Sequence, residues 1–127
     1  MHGVPNDLDL KPFEGAILDY VTLARHMMFL SFESAVGTKT VASLQVEGPW
    51  ELLGPNGEML DQGHPGIQAL NERGPLRIHA CVGRRVRGYT VNPPESFSLH
   101  FEGGLSVRVS DHPGYEAFLV EPGGVRV

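Results

Sequence analysis

Two acidic residues follow aromatic ones at related places in the two halves of this chain, Glu51 after Trp50 in "WELLGPNG" and Glu116 after Tyr115 in "YEAFLVEPGG". Two carboxylates at matching positions could exchange protons with a substrate or hold a divalent cation. A plainer reading competes with that one. Neighbours in a strand point to opposite faces, so Trp50 and Tyr115 bury, Glu51 and Glu116 reach solvent, and the Pro-Gly turns that follow end each strand. The plainer reading is preferred, because duplicated core positions explain the pattern without any chemistry.

The other reactive side chains are dispersed. His26, His64, His79, His100 and His112 show no His-x-His, His-x-x-x-His or HExxH spacing, so no metal centre is expected. His100 and Arg108 fall on the polar face of one expected hairpin and His112 stands just before Tyr115, which makes these three the alternative ligand-binding set. Cys81, the only cysteine, lies between Ala80 and Val82 and reads as a small buried hydrophobe. The chain contains no GxxxxGKS or GxxxxGKT loop, no GxGxxG between a strand and a helix, and no GxSxG elbow. No cofactor is therefore expected, and an enzyme is the less favoured class.

The elements that must carry these residues come from an internal repeat. Sliding the sequence by 69 positions sets Ile17 on Val86, Tyr20 on Tyr89, Leu30 on Leu99, Phe32 on Phe101 and Glu33 on Glu102. After a four-residue excess in the first copy, Thr40, Ala42 and Leu44 fall on Leu105, Val107 and Val109, and Trp50-Glu51 falls on Tyr115-Glu116. The chain is read as two pseudo-repeats, 13–60 and 82–127. Leu99, Phe101, Leu105, Val107 and Val109 alternate with polar residues, the period of a sheet with one buried face, and Gly103-Gly104 reads as a two-residue hairpin turn. In the first copy "SAVGTK" replaces that turn, and the longer loop is the better place for function. The segment 61–81 holds the one helical candidate, with Pro65 in a first turn and Ile67, Ala69 and Leu70 as a short apolar face. One crossover cannot serve a parallel sheet, so an antiparallel one is expected. The expectation is a single α+β domain, 1–127: two β-meanders joined by a short helical connection, as a small sheet or a partly closed barrel.

Composition bounds the partners. With 16 Gly and 10 Pro in 127 residues, short strands and turns are favoured over long helices. A net charge of −5 argues against nucleic acid, although Arg73, Arg77, Arg84, Arg85 and Arg87 form a local basic stretch, read as a solvated strand face. No apolar run approaches the roughly 18 residues of a membrane span, and no export signal opens the chain, so a cytoplasmic protein is expected.

The order of an "LSFE" strand, "EGPWELLGPNG", a short helical segment, a "VRGYTV" strand and "GYEAFLVEPGG" resembles a family of small uncharacterised bacterial proteins, mostly of actinomycete genomes, that end in a Tyr-Glu-Ala-Trp or similar strand. The likeness covers about residues 15–124, with Phe118 where Trp is usual, and implies a fold family but no activity. In size and composition alone the chain is similar to immunity proteins encoded beside bacterial toxins. The expected function is a non-enzymatic protein-binding module that masks the basic surface of a toxin through Glu47, Trp50, Glu51, Tyr115 and Glu116. The alternative is a small-ligand binder or enzyme using a crevice between the pseudo-repeats. A homodimer is compatible with free strand edges.

Overall fold

The computed structural model describes residues 3–24, 27–36, 39–63, 77–111, 118–121 and 125–126. Among them are ten strands: β1 (Ile17–Leu23), β2 (Met28–Glu33), β3 (Thr40–Val46), β4 (Trp50–Leu53), β5 (Met59–Gly63), β6 (Val86–Asn92), β7 (Ser96–Phe101), β8 (Ser106–Ser110), β9 (Phe118–Glu121) and β10 (Val125–Arg126). They form two five-stranded antiparallel sheets, ordered β1-β2-β3-β9-β10 and β5-β4-β8-β7-β6. Each half of the chain therefore builds a three-stranded meander and lends its last hairpin to the other half's sheet.

The antiparallel expectation holds, but the α+β label and the partly closed barrel do not. The only helical pieces among the described residues are single 3-10 turns at Lys11–Phe13 and Ile78–Cys81, and the strands divide into two sheets. Of the expected helical connection, 61–63 belong to strand β5 and Ile78–Cys81 is a 3-10 turn, while 64–76 lie outside the described residues. The reason is local. Asp61 is buried, and its carboxylate accepts the backbone N–H groups of Arg77 at 2.9 Å and Ile78 at 3.0 Å, fixing the start of that turn against β5. No described helix is long and apolar enough to cross a membrane.

The halves correspond more closely in backbone than in sequence. Glu14 and Ala16 donate to the carbonyls of Lys11 and Phe13, as Val82 and Arg84 do to His79 and Cys81. Leu18 donates to Arg84 and Val86 donates to Ala16, either side of a lone bridge between Ile17 and Arg85. Gly15 and Gly83 both take positive φ, +82° and +88°, where a side chain is strained. Leu18 therefore answers to Val86, one position away from the pairing that residue identity favours. The β-bulges between Leu18 and Tyr20 and between Val86 and Gly88 match each other and keep that offset; it arises in the connection to the next strand, which is one residue shorter from Leu23 to Met28 than from Val91 to Phe97. By strand register, Ala42, Leu44 and Val46 answer to Leu105, Val107 and Val109, and Trp50 and Glu51 to Phe118 and Leu119 rather than to Tyr115 and Glu116.

One apolar interior is shared by both sheets. Phe13 meets Phe32 edge-on at 5.0 Å between ring centres, and Phe32 stacks on its counterpart Phe101 at 6.3 Å. Val4, Leu8 and Leu10, from the segment before the first turn, add to that core, and the Val4 N–H donates to the Pro94 carbonyl.

Candidate functional sites on the two outer faces

Burying one face of each sheet leaves two outer faces, built from equivalent positions. On the second sheet, Gln62, Glu51, Arg108, Ser98 and Thr90 lie in register as one polar row across β5, β4, β8, β7 and β6. Arg108 donates to one Glu51 carboxylate oxygen through Nε at 2.7 Å and also through an Nη nitrogen. This pair joins the two halves, since β4 belongs to the first and β8 to the second. Beside the row, a cleft of about 610 Å3 is lined by Gly3, Asn92, Glu95, Ser96, Ser110 and Asp111 together with Glu51 and Arg108.

On the other side of the row, Gly88, His100 and Ser106 lie in register. Thr90 Oγ1 lies 2.7 Å from His100 Nε2, and Ser106 Oγ lies 2.8 Å from His100 Nδ1, so a hydroxyl meets each ring nitrogen. Because a hydroxyl both donates and accepts, either neutral tautomer and the protonated ring are equally satisfied. A second cleft of about 360 Å3 opens here.

The equivalent positions of the first sheet are filled differently. Tyr20 stands where Gly88 stands, and Phe29 where Ser98 stands. Tyr20 is 47% exposed, Phe29 is partly buried, and their rings lie 6.2 Å apart at 37°. Beneath them Ser31 is buried, whereas its counterpart His100 is partly open. Exposed carboxylates flank the pair: Asp19 in the bulge beside Tyr20, and Glu47 just past β3, which accepts the Gln45 amide at 3.3 Å.

Several expected site residues are repositioned by these facts. Trp50 is buried at 6% exposure and belongs to the core, so it cannot act as an exposed anchor. Glu51 is held by Arg108, and Glu47 stands just past β3, a strand of the other sheet. His100 and Arg108 share one outer face. Tyr115, Glu116 and His112 lie outside the described residues, as do His26 and His64, while His79 is exposed on the second 3-10 turn. Cys81 is fully buried, and burial pushes its thiol up to about 12 despite the opposing charge of Arg84. Among the described residues, no group of three or more His, Cys, Asp or Glu side chains is placed to hold a metal ion.

Sequence reasoning missed Tyr20 and Phe29, because Tyr20 was matched to Tyr89 as a repeated core position. The bulge turns Tyr20 outward and leaves Tyr89, equivalent to Val21, packed against the core. The available signal was the Gly-Tyr order at 88–89 against Tyr-Val at 20–21. Compared with protein-family models, curated proteins and solved structures, the chain matches none.

Proposed function

We propose that this chain is a non-enzymatic protein-binding module of the immunity-protein type, acting in the cytoplasm and docking the outer face of its first sheet on a basic surface of its partner. What carries the reading is the contrast at equivalent positions. The second sheet is built with Gly88 and Ser98 where the first has Tyr20 and Phe29, so folding does not require aromatics there. Aromatic side chains supply much of the energy at the centre of an interface, here an exposed Tyr20 against a half-buried Phe29, and the flanking Asp19 and Glu47 and net charge of −5 favour encounter with a cationic partner.

The test replaces Tyr20 and Phe29 together with serine. Tagged protein expressed in its own cytoplasm should retain a basic partner, and the double variant should lose it by about tenfold or more while keeping its melting temperature within a few degrees. A wild-type protein that holds no partner, or a variant that holds it equally well, removes the proposal.

A second reading, small-ligand binding, draws on the cleft beside Arg108 and Glu51, where both halves of the chain contribute polar groups.

A further inference from the structure

The face of the second sheet also holds a feature that protein docking on the first sheet does not use. Where Tyr20 stands opposite a buried Ser31, Gly88 stands opposite His100, and a Cβ added at Gly88 would meet nothing within 4 Å. The missing side chain leaves a cleft of about 360 Å3 lined by Arg87, Gly88, His100, Phe101, Gly104, Leu105 and Ser106. That volume lies at the small end of the range for ligand sites. The lining contains a guanidinium and no carboxylate, in a chain whose net charge is −5.

We propose that this cleft binds a small anionic ligand with a flat body: a carboxylate or phosphate held by Arg87, and a ring lying against His100 in the place that Tyr20 fills on the first sheet. The chain Thr90–His100–Ser106 equips the floor for such a ligand. Each hydroxyl meets a ring nitrogen, so Ser106, which lines the cleft, can turn a proton or a lone pair toward a ligand while Thr90 keeps the other ring nitrogen satisfied. Arg87 is exposed and lies within the bulge of β6, which frees it from the strand's in-out alternation. A guanidinium presents paired donors to an oxyanion, and a flat group stacks on it or on the imidazole.

The probe is phenyl phosphate, with benzoate and inorganic phosphate as comparisons, titrated into the isotope-labelled full chain and followed by the backbone amides of β6 to β8 and the His100 ring resonances. Saturable shifts confined to this cleft are expected, with Kd on the order of 1 mM for phenyl phosphate and weaker binding of inorganic phosphate. Arg87→Gln should weaken phenyl phosphate about tenfold, and Gly88→Tyr, which installs the first sheet's residue, should abolish its binding while Trp50 emission stays native. Arg87→Gln keeps the test decisive should Gly88→Tyr disturb the bulge. Absent or non-saturating shifts, binding unchanged by Arg87→Gln, or inorganic phosphate binding as tightly as phenyl phosphate would each overturn the assignment.

Discussion

Glu51 and Arg108 show how little a visible charge pair says by itself. Both are partly exposed, at 24% and 41% of their side chains, and such a pair contributes about 0.2–1 kcal/mol and less in salt. Its value lies in alignment, since it pins β4 from one half to β8 from the other on a face that also carries Gln62, Ser98, Thr90 and His100. Cys81 is the opposite case, a single group whose surroundings dominate. Burial raises its thiol from 9.0 to about 12, so folded protein keeps the proton at pH values where unfolded chain has lost it. The stabilising effect is complete below about pH 9 and is lost as pH climbs toward 12. Native protein at pH 8 is expected to react with an aromatic disulfide only as fast as it unfolds, and at once in denaturant. Its melting temperature should fall from pH 9 upward, and Cys81→Ala should remove that alkaline slope. A thiol that titrates rapidly in the native protein would show that the turn at Ile78–Cys81 is open.

At the scale of elements, strands were legible and their register was not. Alternation in Leu99, Phe101, Leu105, Val107 and Val109 announced a half-buried hairpin, and all five are buried. The turn between them is one residue longer than the expected pair of glycines. Phe101 N–H donates to the Leu105 carbonyl, leaving 102–104 as the loop, with Gly103 and Gly104 both in the left-handed region at φ +88° and +87°. The bulges in β1 and β6 were invisible because inserting one residue costs no hydrophobic match; it only turns the neighbours over, and that moved Tyr20 from the core to the surface. The polar row on the second sheet was legible only in part, since His100 and Arg108 share one hairpin, whereas Glu51 arrives from the other half through a strand exchange that no local pattern encodes. Glycine in β5 had a similar hidden cause. Gly63 pairs with Trp50, and a Cβ built there would lie 2.6 Å from indole Cε2, so the ring covers the glycine backbone. Gly63→Ala should displace either the indole or the end of the edge strand, at a cost of about 1–3 kcal/mol. Trp50 is the only tryptophan, so its emission reports the change directly: a red shift and a lower melting temperature are expected, and an unchanged spectrum would show that the ring does not lie over Gly63.

For the whole molecule, the consequence lies in how the sheets are completed. The hairpin of β4 and β5 leaves the first meander to pair with β8, and the hairpin of β9 and β10 returns to pair with β3. Neither meander alone has its own fourth and fifth strands, and Phe32 and Phe101, counterparts in the two halves, stack on each other rather than within one half. Burial of either interior face thus waits on pairings between residues some sixty or more positions apart, such as Trp50 with Val109 and Val46 with Phe118. Contacts so distant in sequence close large loops before they gain anything, which predicts slow folding for a chain of this size. Cutting the chain leaves the pairings intact but makes them intermolecular. Protein cleaved at an engineered site between Gly63 and Arg77 is therefore expected to elute as one species of the intact size, to separate only in denaturant, and to melt at a temperature that rises with concentration. Each fragment prepared alone should be unfolded by circular dichroism and amide dispersion, and mixing the two should restore native Trp50 emission. A fragment that folds independently would mean that a meander can close its sheet with its own hairpin, and would replace one interlocked domain with two separate ones.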